Sequence, residues 1–415
     1  MALRTLAVLA ALGAAAALGA PTALADPPAR RLRFEQVLGL ASELPSLAAV
    51  RDAARAEREL ELPRPWSPLS ITLTPQRRFA PQGDRGMEGV IAIQQAFPLS
   101  GLADARRAQV SASAALRDAD ATTRLLEARL DAAAAWIDGW AARERLATAT
   151  RELELARELL AATERGASRG VFTQPELADA RAYVAETELQ LRDAEGRVAD
   201  TGFALAMALA QPGPIESDGD LPGVPLPASA SWNELVARAR ALPAVAARQL
   251  AARAARARAT EERASRGMEL VLGGEVYRDG PGALAAGLTV GVTLPHDRGT
   301  REAHAAELEA RLAEADGATL AMRSASELSR ALHEVEHTGR VLDTIQARLV
   351  PAAIDAATRR QRAFDVGETT IVELLAARRT AVAAEARLAD AQAAHAWARM
   401  RAWLLLEATK TGEAR

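Results

Sequence analysis

The sequence predicts a mainly α protein with a small β part, built from two equivalent halves that each run helix, β-hairpin, long helix, helix. Three observations carry this prediction. The segment Gly170-Val-Phe-Thr173-Gln-Pro-Glu176-Leu177-Ala-Asp-Ala180-Arg181 recurs as Gly367-Glu-Thr-Thr370-Ile-Val-Glu373-Leu374-Leu-Ala-Ala377-Arg378, identical at six of twelve positions and offset by 367 − 170 = 197. Pro98 and Pro295 are separated by the same 197, and Leu44-Pro45 answers to Leu242-Pro243 at 198. Each repeat unit also contains one helical stretch of more than 60 residues that is free of proline except at Pro351. A period this long is no solenoid repeat; one architectural half is duplicated.

Taking the elements in order, residues 1–25 read as an export signal: Arg4, an apolar stretch from Leu6 to Gly19, and Ala23-Leu24-Ala25 before Asp26 as the cleavage site. The first repeat is expected over 26–212. It opens with a helix over 33–62 interrupted by Pro45, followed by strands over about 66–79 and 88–98. Leu69, Ile71 and Leu73 alternate with Ser70, Thr72 and Thr74, whereas Ile91, Ile93 and Phe97 are broken by Gln95. The long helix is expected over about 103–165, the reversal over 166–176, and a final helix after it. A Pro/Gly-rich linker over 213–230 leads to the second repeat, 231–415. That repeat has its Pro243-interrupted helix over 231–266, strands over about 268–278 and 283–295, a long helix over 301–365 and a reversal over 365–373. In its last strand Leu284, Ala286, Leu288, Val290, Val292 and Leu294 share one face, and Ala285, Gly287, Thr289, Gly291 and Thr293 the other.

The long helices would reach roughly 95 Å at 1.5 Å per residue and cannot stand alone. Leu125, Leu146, Leu153 and Leu160 share one heptad position, with Ala149 and Ala156 beside it, which makes a coiled-coil seam. The two shorter helices of each half sum to nearly the length of the long one, so they are expected to lie along it end to end. The hairpin strands have the length and the apolar/polar alternation of tilted membrane-spanning strands. Four strands cannot close, and lipid does not tolerate an open sheet edge, so closure requires other copies of the chain.

Composition excludes several function classes. The net charge is −3 and no basic block exists, so nucleic acid is not an expected partner. There is no Cys, which removes thiolate metal sites, disulfides and an N-terminal lipid anchor. Lys410 is the only lysine among 51 basic residues. No phosphate loop or catalytic triad stands out; the chain is expected to be no enzyme and to carry no cofactor.

Two constellations remain. Thr173-x-x-Glu176 and Thr370-x-x-Glu373 are capping boxes, in which Thr accepts from an early helix N–H and Glu reaches back to the Thr amide. Gly170 and Gly367 precede them as turn residues. His333-Glu334-Val335-Glu336-His337 matches the zinc-protease helix motif. No third-ligand pattern follows, and the equivalents of the two His at offset 197 are Trp136 and Trp140, so a resident or catalytic metal is disfavoured. A transient cation contact is the lesser alternative for this pair.

The export signal, the duplicated order of elements and the Gly-x-x-Thr-x-x-Glu-Leu reversals together resemble the TolC-like outer-membrane efflux proteins. The closest stretch runs from Val366 to Leu375. The resemblance implies a homotrimer in outer-membrane lipid, its 12-stranded β-barrel continuing into a periplasmic α-helical coiled-coil barrel. It also implies a periplasmic adaptor at the tips, an inner-membrane pump as energy source, and a passive exit duct, with the heavy-metal cation branch most similar. At the second reversal the family's Tyr and Arg are replaced by Phe364 and Thr369, while the entrance carboxylate is kept as Glu373. The implied tip and entrance residues are Gly170, Thr173, Glu176, Phe364, Gly367, Thr369, Thr370 and Glu373. Two other readings stand beside this one: the exit channel of a type I protein-secretion system, and a periplasmic coiled-coil adaptor or scaffold.

Overall fold

The computed structural model describes residues 30–59, 69–77, 87–227, 230–279, 283–294 and 300–413. The expected signal at 1–25, residues 60–62 of the first expected helix, 66–68 and 78–79 of the first expected strand, and Pro295 lie outside the described residues.

The chain opens with a short strand, β1 (Arg30–Arg33), and helices α1 (Phe34–Ser42) and α2 (Pro45–Glu59). The expected helix is interrupted just before Pro45, which opens α2, because at the first helical position its missing N–H has no partner to lose. Strands β2 (Ser70–Arg77) and β3 (Met87–Pro98) lead into α3 (Leu102–Ala167), a 66-residue helix about 100 Å long. Helix α4 (Gln174–Ala208) returns, and β4 (Ile215–Asp218) follows. The pattern then continues with α5 (Trp232–Arg240), α6 (Pro243–Ser265), β5 (Glu269–Asp279), β6 (Ala283–Thr293), α7 (Thr300–Thr344), α8 (Val350–Asp365) and α9 (Ile371–Glu413).

Two features depart from the sequence expectation. The 213–230 segment is not only a linker, because β4 within it pairs in parallel with β1. Strands of four residues are too short for alternation to reveal them. The second long helix is also not uniform: Ile345–Leu349 forms a π-helical turn. Pro351 explains it. Proline has no N–H for the carbonyl four residues back, and its ring crowds that carbonyl, so the ladder shifts register just ahead of it.

The second, larger sheet has the order β2-β3-β5-β6, antiparallel throughout. Its register places directly paired residues on common faces. One face carries the rows Leu73–Ile91–Val276–Ala286, Ile71–Ile93–Gly274–Leu288, Gln95–Leu272–Val290 and Phe97–Leu270–Val292. The other carries Thr72–Ala92–Glu275–Gly287 and Ser70–Gln94–Gly273–Thr289. Among the described residues nothing covers the apolar face; Leu288 is 92% exposed. No helix among the described residues is long and apolar enough to cross a membrane.

Along the helical stem, α3 packs with α2 near the sheet and with α4 towards the far end, while α6 and α9 flank it. Of the expected seam, Leu153 and Ala156 are buried and Leu125, Leu146, Ala149 and Leu160 half-buried, while the neighbouring Leu159 is also buried. Midway, a thicker core gathers Leu32, Phe34, Val37, Trp136, Ile137, Trp140, Leu205 and Met400. Trp136 is fully buried, meets Phe34 edge-on at 5.3 Å and donates its indole N–H to the Leu32 carbonyl at 2.9 Å. A companion core joins Leu235, Val245, Leu328 and Leu405 from α5, α6, α7 and α9.

Candidate functional site at the helix tips

Far from the sheet, α3 turns into α4 and α8 into α9. Both reversals use a glycine at positive φ, Gly170 at 73° and Gly367 at 80°, where any side chain would be strained. At the first, Thr173 is the N-cap and the capping box is complete. Glu176 accepts from the Thr173 amide at 2.7 Å and its hydroxyl at 2.8 Å, and Pro175 lies in the first turn. These bonds to the ionised carboxylate hold its pKa below the usual range, the amide bond first.

The second reversal keeps the Thr370 cap and adds partners that the sequence expectation of two matching boxes did not include. Thr370 Oγ1 accepts from the Glu373 amide at 3.4 Å, but the Glu373 carboxylate takes a close hydrogen bond from the Thr369 hydroxyl and a 3.0 Å ion pair from Arg360. Arg360 also donates to Thr369 at 3.3 Å. The Thr369 bond, then the Arg360 charge and the Thr370 amide, hold the Glu373 carboxyl low. Glu373 therefore has a counter-cation in its own chain. Sequence reasoning missed Arg360 because it stands 13 residues back, on the preceding helix, and only the reversal brings the two together.

Phe364 is a packing residue. It is buried with Ala156, Leu159, Tyr183, Ile371, Leu374 and Leu375, and its ring stacks on Phe172 of the first reversal at 5.4 Å and 5°. The Phe172 ring lies over Gly166, where a Cβ would come within 2.3 Å of it, so the close approach requires glycine there. The two tips of the chain are thus fastened side by side by an aromatic stack. Val171, Val366 and Val372 remain exposed around them.

Above the tips, the α3–α4 and α8–α9 pairs are joined by polar ties. Arg379 reaches Glu186 at 2.6 Å and Arg151 reaches Glu385 at 3.2 Å. Exposed pairs of this kind contribute little one by one. Glu152 is different: it is buried, accepts a close hydrogen bond from the Tyr183 hydroxyl and has Arg378 nearby. Burial raises the Glu152 carboxyl, and burial beside that carboxylate raises the Tyr183 phenol.

The structure places His333 and His337 on α7, about midway along the stem and not at the tips, with both side chains exposed. Among the described residues no group of three or more His, Cys, Asp or Glu is arranged to hold a metal ion. The tips offer charge, exposed apolar side chains and rigid reversals, and no nucleophile–base pair.

No protein-family model matches the sequence, and no curated protein does either. Solved structures do match. The chain is similar to CusC, described with its folding and transmembrane channel formation, at 16% identity, TM-score 0.76, covering 90% of this chain and 91% of that one. It is similar to the Campylobacter jejuni outer-membrane channel CmeC at 15% identity and TM-score 0.75, covering 91% and 86%. It also matches the open state of the Neisseria gonorrhoeae outer-membrane channel MtrE at 18% identity and TM-score 0.72, covering 90% and 88%. Over about nine-tenths of its length the chain has the fold of the TolC-like outer-membrane channels.

Proposed function

We propose that this chain is the passive outer-membrane exit duct of a tripartite efflux system. In this reading residues 1–25 direct export, and the two halves are a duplicated unit. Three copies join edge strand β6 of one to edge strand β2 of the next, closing a 12-stranded barrel. The long helices continue it as a periplasmic tunnel. An adaptor docks at the tips, and an inner-membrane pump supplies the energy for cargo, with heavy-metal cations the favoured class.

The observation that carries this reading is the four-stranded sheet at one end of the stem, whose two edges are unpaired and whose apolar face is uncovered among the described residues. In water such a sheet would aggregate, and in lipid its edges must be paired. Mass measurement in detergent should give about three protomers per particle. A detergent-free, water-soluble monomer would overturn the barrel.

The tip carboxylates support a charged periplasmic entrance. Glu373→Gln preserves the cap, since a capping box accepts Gln, and removes one negative charge per copy while freeing Arg360. Cation preference in a planar bilayer should fall in this variant and fall further in the Glu176→Gln double variant. The change should be clear at low ionic strength and fade near 1 M salt, where screening acts within about 3 Å. Unchanged selectivity in the double variant would leave these residues as caps alone.

A further inference from the structure

Trp136 and Trp140 on α3 correspond, at the 197 offset, to His333 and His337 on α7. The Trp pair is buried beneath β1 and α1. The His pair is exposed, and the reason is topological. β1 is held over α3 because β4 follows α4 and pairs with it. On α7 the counterpart of α1 is α5, which packs with Ala325, Leu328 and Ala331 and leaves His333 and His337 exposed. Two imidazoles one helical turn apart are left on an open face.

We propose that His333 and His337 form a reversible two-imidazole site for a divalent transition cation of the zinc, nickel and copper class, with water completing the coordination. On a helix, residues four apart have Cβ atoms about 5–6 Å from each other, so both rings can turn to one ion. Imidazole suits Zn, Ni and Cu(II), while Mg and Ca demand oxygen. Neither ring makes a hydrogen bond or ion pair among the described residues, so binding breaks nothing. Glu336, one turn from His333, adds favourable charge, and Arg330 and Arg340, one turn outside the pair, oppose it. That balance, with only two protein ligands, makes the site weak and exchangeable. It also separates the site from a zinc protease, which uses three protein ligands and a water. The proposal does not depend on the exit-duct reading.

The test is calorimetric titration of the full protein in detergent, without a histidine tag, using zinc and nickel chlorides in turn. One cation per chain should bind near neutral pH. His333→Gln and His337→Gln should each weaken it by more than the roughly tenfold typical of losing a supporting group. Magnesium should give no heat above dilution. His304 stays exposed and His395 is engaged with Thr338 at 3.1 Å, so both remain as internal controls in the variants. Equal zinc and nickel binding by the parent and the double His variant, with unchanged helical circular dichroism, would overturn the site and mark the cation as adventitious.

Discussion

Leu288→Arg should prevent assembly or strongly destabilise it, whereas Thr289→Arg, one residue along the same strand, should be tolerated. Leu288 is the most exposed large apolar side chain of the sheet and lies in the row Ile71–Ile93–Gly274–Leu288. On a lipid-facing strand an arginine near the bilayer midplane costs about 2–4 kcal/mol, and a closed trimer incurs that cost once per copy. Thr289 faces the other way, onto the row with Gly273, Gln94 and Ser70. There an added guanidinium meets water. The yield of heat-resistant oligomer on a gel, for the two variants side by side, checks this. Equal behaviour, or the opposite order, would mean that the apolar face is covered by something other than lipid.

Trp136→Ala is expected to lower the stability of the helical stem by about 3–5 kcal/mol, the usual range for emptying a buried aromatic site. The side chain is fully buried, and its removal also strips the Leu32 carbonyl of its only indole donor. Trp136→Phe keeps the edge contact with Phe34 and should cost about 0.5–1.5 kcal/mol, chiefly for the lost indole hydrogen bond. Thermal melts followed by circular dichroism would separate the two. A near-neutral alanine variant would show that β1 is loosely held over α3.

The helices, the reversals and most of the four long strands were legible in the sequence because each obeys a local rule. Proline at a first helical turn, glycine at positive φ, Thr-x-x-Glu caps and period-two alternation depend on neighbours within a few residues. The 197–198 offset added a check on each, since Thr173 and Thr370 or Pro45 and Pro243 predict one another. What failed was the assumption that equivalent motifs form equivalent bonds. Glu176 closes its own box, and Glu373 turns to Thr369 and Arg360. Phe364 was legible as a departure from the family pattern but not as half of a stack, because Phe172 lies 192 residues away.

By itself, then, the sequence determined the mainly helical class, the long stem and the two faces of each strand, all consequences of short-range periodicity and backbone preference. Only the tertiary structure decided the β3–β5 pairing that joins the two hairpins, the β1–β4 pair, the buried Glu152–Tyr183 contact and the Phe172–Phe364 fastening. Each of these joins segments far apart in the chain. Local pattern cannot rank such pairings, because their free energy comes from desolvation and packing between surfaces that meet only once the helices are aligned.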